Sequence, residues 1–416
     1  MSVLKGNAIF GQSGGPSAVI NSSAAGVFTE ALKSDAIKNV YGALHGIVGI
    51  LNEDFIDIGQ ESKKQIKLLR GTPASILGSC RYKLADYDED PTDYETILRV
   101  FKKYDIRYFF YNGGNDSMDT CDKISKFLDD QGYECRVIGV PKTIDNDLAV
   151  TDHTPGYGSA AKFVATTTME MFLDSSVYNR GMIIVLEVMG RHAGWLTAAT
   201  ALAAKKGYGP ELIYLPEIPF DFDEMLEDVE RIYTKSQNVM IAVSEGVKTA
   251  DGKIIPESVG KVEIDAFGHK QMGGTANVLA QRLGQELGSK VRGIELSLLQ
   301  RSGSHIASGV DIDEAFLAGQ EAVKAALAGA TDVMIGFERP LKGPYECLIR
   351  QIPLRDVANH EKMLPREWIN EAGNHVLDPF IDYALPLIQG DPQQEKEDGL
   401  PLFASFKKIQ AGDRDK

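Results

Sequence analysis

Two carboxylates and a lysine fall within six residues in Val137-Ile-Gly-Val-Pro-Lys-Thr-Ile-Asp-Asn-Asp147, directly after a short apolar run. Lys142, Asp145 and Asp147 are the types that phosphoryl transfer to an alcohol requires: a carboxylate takes the hydroxyl proton, cations hold phosphate charge, and a metal or its equivalent assists. A solvated turn would place the same residues after a strand. Two other segments share the design. Ala8-Ile-Phe-Gly-Gln-Ser-Gly-Gly-Pro-Ser-Ala-Val-Ile-Asn21 carries Gly14 and Gly15, which let the backbone approach an anion, and Pro16, which suits a helix start. It matches neither GxxxxGK[ST] nor GxGxxG, and alone it reads equally well as a structural turn. Tyr108-Phe-Phe-Tyr-Asn-Gly-Gly-Asn-Asp-Ser-Met-Asp-Thr120 breaks at Gly113-Gly114 and presents Asn115, Asp116 and Ser117. Asp116 or Ser117 can cap the next helix, but two glycines and three polar residues exceed what a cap requires.

In all three segments an apolar strand ends in small residues and opens a helix. In open α/β sheets ligands bind at such carboxyl ends, with helix N-termini facing the cleft. Short β-branched and aromatic runs alternate with helical patterns along the chain, the signature of βαβ units and a mostly parallel sheet. The expected strands are Asn7–Gly11, Arg107–Asn112, Arg136–Val140, Met182–Val188, Leu212–Leu215, Val239–Ser244, Glu295–Leu299 and Val333–Phe337. Between Asp221 and Gln237, Phe222, Met225, Leu226, Val229, Ile232 and Tyr233 recur at helical spacing opposite Asp223, Glu224, Glu227, Asp228 and Glu230, which predicts a packed helix with a solvated acidic face.

At 416 residues the chain is long enough for two domains and the cleft between them. No Pro-rich linker or repeat separates them, so the chain is expected to cross between them more than once. The polar stretch Gln394–Lys416 is expected to be loosely ordered. A net charge of −15 argues against nucleic acid and anionic membrane as partners, so a phosphate ligand needs a local basic pocket. No run of 18 apolar residues and no charged-then-apolar leader occur, which implies neither membrane spanning nor secretion. Cys80, Cys121, Cys135 and Cys347 are scattered without a CxxC pair or a His cluster, as expected of reduced cytoplasmic thiols rather than a zinc site.

The strings GQSGGPSAVIN, GGNDS, PKTIDND, EVMGRHAGW and LLQRSG occur in this order, and together they resemble the phosphofructokinase family from residue 7 to about residue 350. The resemblance implies two Rossmann-like three-layer α/β/α domains with the active site in the interdomain cleft. A phosphoryl-donor domain would comprise residues 1–156 plus about 301–360, and a fructose 6-phosphate domain 157–300 plus about 361–416. The family's base, which takes the proton of the sugar 1-hydroxyl, falls on Asp145, with Thr143 and Ile144 beside it contacting substrate. Asp147 resembles the acidic position that orients the site or its metal. Met189, Gly190 and Arg191 match the turn that contacts the sugar phosphate, with Arg191 stabilising the transferring group. Glu245 resembles the carboxylate that binds sugar hydroxyls, and Arg292 and Arg301 the two arginines that grip the 6-phosphate. One of those two often comes from a neighbouring subunit, which implies a homo-oligomer with shared sites. Gly14, Gly15 and Arg81 match donor-side positions.

Two departures from the family pattern matter. Leu298 replaces a histidine that many ATP-using members place three residues before the last arginine. Asn115 stands where most members have an aspartate associated with magnesium; it remains the candidate ligand for Mg2+, through an uncharged amide oxygen. Donor choice in the family is tied to two positions, both glycine in typical ATP users, which are Asp116 and Lys142 here. A side chain at Asp116 occupies space and adds negative charge where the α-phosphate of ATP must lie, while Lys142 supplies a point charge for a small inorganic donor. Pyrophosphate is therefore the expected donor, with a reaction that runs both ways. The alternatives are an ATP-dependent kinase of the same fold, with Asp116 and Lys142 merely paired to each other, and a non-catalytic sugar-phosphate-binding paralogue.

Overall fold

The computed structural model describes residues 3–177, 181–258, 274–340 and 342–412. Eleven strands of these form two sheets: β1 (Gly6–Gln12), β2 (Ile37–Ala43), β3 (Phe55–Asp57), β4 (Ile106–Gly113), β5 (Arg136–Pro141), β6 (Ile183–Val188), β7 (Leu212–Tyr214), β8 (Val239–Ser244), β9 (Val291–Glu295), β10 (Val333–Glu338) and β11 (Leu348–Pro353). The larger sheet runs β11-β10-β5-β4-β1-β2-β3 and the smaller runs β7-β8-β6-β9. The smaller sheet is wholly parallel; in the larger one only the edge strands β3 and β11 pair antiparallel. The central strands are near-continuous apolar runs because helices cover both faces. In β4 only Arg107 escapes full burial, and Phe109 and Phe110 feed separate apolar clusters on the two sides of the sheet.

The helix Phe222–Ser236 forms as its spacing predicts, capped by the Asp221 carboxylate, which accepts the Asp223 and Glu224 N–H groups. Its acidic face is not uniformly wet, because Asp228 accepts a 2.6 Å hydrogen bond from the Asn374 amide.

The expected strand Glu295–Leu299 is displaced. The strand is Val291–Glu295, and Leu299–Ser302 is helical. Of the apolar run that suggested a strand, only Leu296 is buried, while Leu298 and Leu299 are 56% and 63% exposed. Strands β2, β3 and β11 gave no usable pattern: β3 has three residues, and β11 is an edge strand in which Arg350 and Gln351 interrupt the apolar run and only Ile352 is buried. The tail is also better ordered than its polarity implies. Phe406 is buried against the helix Ile20–Ala31, Ala411 N–H donates to Phe55 O, and the Asp57 N–H donates to Ile409 O. A single buried aromatic and backbone pairing to the edge strand hold it. Residues 413–416 of that expected loose segment lie outside the described residues.

The carboxyl ends of β1, β4 and β5 from the larger sheet and of β6 and β8 from the smaller one open onto one cavity of about 550 Å3.

Candidate active site

From the larger sheet, Ser13, Gly14, Gly15 and Pro16 follow β1, Gly114 to Ser117 follow β4, and Lys142, Thr143, Ile144, Asp145 and Asp147 follow β5. From the smaller sheet, Met189, Arg191, His192 and Ala193 follow β6 and Glu245 follows β8. Arg81, Arg301, Asn359 and Glu361 complete the lining.

The Lys142–Asp147 loop is locked from within. Thr143 Oγ1 accepts the Asp145 N–H at 3.1 Å, and the Thr143 carbonyl accepts the Thr154 hydroxyl at 2.8 Å. Asn146, fully buried, takes φ 57°, a left-handed conformation that asparagine tolerates. Its amide donates to Tyr383 OH at 2.8 Å and accepts the Thr154 N–H at 3.1 Å. Asp145 and Asp147 therefore leave the chain on either side of a fixed pivot.

Glycine is required where cations approach the backbone. The buried Lys142 ammonium donates to Gly15 O at 2.6 Å, and a Cβ on Gly15 would lie 2.8 Å from an Arg301 guanidinium nitrogen. Gly190 does not line the cavity; with φ 145° it turns the chain, and a Cβ there would meet Ala193 O at 2.8 Å. The turn is held by the Gly190 N–H donating to Glu245 and the Met189 N–H donating to Gln300.

Lys142, Arg191 and Arg301 make no ion pair with a carboxylate among the described residues, and Arg191 Nε is buried without a hydrogen-bond partner. Burial pushes Lys142 down to about 8, against the pull of Asp145. Burial pushes Asp145 up, against Lys142 and Arg191, and pushes Asp147 up with Asp145 adding to the shift. Burial and then Asp145 raise Glu245 to about 7. Such a site is poised for a polyanion that brings its own charge and for proton transfer near neutrality.

Of the residues expected from sequence, Gly14, Gly15, Arg81, Asn115, Asp116, Lys142, Thr143, Ile144, Asp145, Met189, Arg191, Glu245 and Arg301 share this cavity. Arg292 does not: it lies exposed on the edge strand β9. Asp116 and Lys142 make no ion pair with each other, which removes the reading of them as a structural bridge. Asn115 faces the cavity, but its amide is engaged on both sides, donating to His360 O at 2.6 Å and accepting the Asn359 N–H at 2.7 Å. It acts as a clamp on that turn, and its oxygen is a poor candidate for the metal.

His192, Asn359 and Glu361 were not singled out. His192 adjoins Arg191 within a recognised string, so adjacency could have found it; Asn359 and Glu361 belong to no motif.

The chain matches the phosphofructokinase family over residues 7–326, more than half its length. It belongs to the phosphofructokinase family. Among curated relatives, a pyrophosphate--fructose 6-phosphate 1-phosphotransferase of Halomonas elongata is 46% identical over 406 residues, covering 97% of this chain and 96% of that protein. Among solved structures, a pyrophosphate-dependent phosphofructokinase from Nitrosospira multiformis is 42% identical with a TM-score of 0.87, covering 97% of each chain. Another from Marinobacter aquaeolei is 40% identical with a TM-score of 0.88, covering 98% of this chain and 97% of that one. In this phosphofructokinase the Asn359–Glu361 part of the lining falls after the family match ends at residue 326.

Proposed function

We propose that this phosphofructokinase reversibly transfers a phosphoryl group from pyrophosphate to the 1-hydroxyl of fructose 6-phosphate, giving fructose 1,6-bisphosphate and orthophosphate. The observation that carries the reading is the meeting of Asp145, Lys142, Arg191 and Asp116 in one cavity. Ionised Asp145 accepts the hydroxyl proton as the sugar oxygen forms its bond to phosphorus and the bridging P–O bond breaks, releasing orthophosphate. Lys142 and Arg191 hold the charge that builds on the transferring group. Asp116, in the first turn of the helix Asn115–Asp130, stands where a nucleotide would need an anion-accepting helix start. The names of the relatives point the same way.

The donor set of the cavity is made of carboxylate oxygens, which suits a hard divalent cation, here Mg2+. Asp147 and Asp116 would hold it, with Asn115 bracing the wall; when bound it offsets phosphate charge. We divide the chain into a donor domain of residues 1–156 with about 301–360 and a sugar-phosphate domain of 157–300 with about 361–400, the tail returning to the first. Arg292 supports a homo-oligomer with shared sites, since it is exposed on the edge strand β9, outside the cavity, and would grip substrate in a neighbouring copy. No helix among the described residues is long and apolar enough to cross a membrane, and with four free thiols we place the enzyme in the cytoplasm.

A coupled assay with pyrophosphate and ATP side by side tests the reading. Pyrophosphate should be the efficient donor, and fructose 1,6-bisphosphate with phosphate should drive the reverse reaction. Turnover with ATP alone, in the forward direction alone, overturns it.

A further inference from the structure

The segment 359–364 touches the loops that carry Asp116, Asp145 and Arg191. Besides the Asn115 clamp, the Lys362 N–H donates to Asp147 O at 2.8 Å, and Trp195 Nε1 donates to Lys362 O at 2.8 Å. Glu217 accepts both the Leu364 N–H and the Gly194 N–H. Glu361 links two loops of the cavity lining. Its backbone bridges antiparallel to Leu148, the residue after Asp147, and its carboxylate lies 2.6 Å from Nδ1 of His192, the residue after Arg191.

We propose that Glu361 is a positioning residue for phosphoryl transfer, fixing through His192 the separation of the Arg191 guanidinium from the Asp145–Asp147 loop. Both side chains of this link are 41% exposed, so it adds little to folding. Its geometric effect is large by contrast, because a displacement of about 1 Å between reacting groups lowers rate by roughly 100-fold. Asp116, Asp145, Asp147 and Glu245 already line the cavity, and a fifth carboxylate facing the space where phosphates bind is unfavourable there unless it is turned away onto a cationic or donor partner; His192 is that partner. The inference rests on the phosphoryl-transfer reading.

Glu361→Ala should lower kcat by about 10- to 100-fold in both directions, with KM for fructose 6-phosphate within about threefold and the unfolding midpoint unchanged. Glu361→Gln, whose amide oxygen still accepts from His192, should recover most of the loss. In a His192→Ala background, adding Glu361→Ala should change kcat less than about twofold, because the link is already broken. Should Glu361→Ala fail to fold, His192→Asn, which keeps a donor, against His192→Ala gives the same comparison. An unchanged kcat in Glu361→Ala overturns the inference, as does an equal penalty in both backgrounds. A wild-type protein without pyrophosphate turnover sinks the functional reading and this inference with it; an active wild type with an indifferent Glu361→Ala sinks only the inference.

Discussion

Two buried charge clusters lie a few residues apart and are built on opposite terms. In the cavity, Lys142 donates only to a neutral carbonyl, and burial displaces Lys142, Asp145, Asp147 and Glu245 towards neutrality, with Asp145 adding to the shifts of Asp147 and Glu245. Just beyond Val150, Asp152, His153, Glu314 and Arg339 are paired with one another. Asp152 receives Arg339 through two hydrogen bonds of 2.9 Å, and His153 lies 2.8 Å from both Asp152 and Glu314. Burial would raise Asp152, but hydrogen bonds from His153 and Arg339 hold it below the usual range; burial would lower His153, but Asp152 and Glu314 hold it up. The same residue types thus serve chemistry where charge is left unmatched and serve structure where it is balanced.

The largest effect that should separate the two clusters is on rate. Asp145→Asn is expected to lower kcat by about 10^3- to 10^4-fold while fructose 6-phosphate still binds within a few-fold by calorimetry. Near-normal turnover would remove Asp145 from its role and make the cavity cluster as structural as the other.

Donor use should respond next. Asp116→Gly combined with Lys142→Gly should reduce kcat/KM for pyrophosphate by about 100-fold and raise the ratio of ATP to pyrophosphate use. An unmoved ratio means that donor choice lies elsewhere.

The balanced cluster should answer in stability instead. His153→Gln removes one partner from a buried set and should cost about 3 kcal/mol in denaturant unfolding, with kcat of the folded enzyme nearly unchanged. Because the folded pKa of His153 is raised, its contribution is full below the unfolded value of about 6.5 and is lost as pH climbs through the folded value. A deficit that grows with pH contradicts the balance described here.

The smallest effect has the opposite sign. Glu245 is raised from 4.5 to about 7, so its ionisation disfavours the ligand-free fold increasingly between those values. Glu245→Gln should stabilise the ligand-free protein by roughly 2–3 kcal/mol at pH 8 and not at pH 4. Equal gains at both pH values would place the cause in packing, not charge.

Much of the site was legible because its residues sit in contiguous strings: Gly14 and Gly15, Asn115 and Asp116, Lys142 to Asp147, and Met189 to Arg191 each follow a strand whose apolar run is itself plain. The edge strands β3 and β11 were not, because β3 is too short for any period and Arg350 and Gln351 break the apolar run of β11. Leu298 and Leu299 misled, since apolar residues left exposed at a surface look in sequence like a buried run.

Local order decided which groups hang from each strand end, because the near-continuous apolar runs of β1, β4, β5, β6 and β8 and the small or polar residues that end them are spelled out along the chain. Which of those ends face each other was decided by packing two sheets together. That same packing brought Glu361, more than 160 residues away and in no motif, to 2.6 Å from His192, and set Arg292 outside the cavity that its neighbour Arg301 enters. Contacts between distant segments depend on which faces bury each other, and no spacing along the chain encodes that.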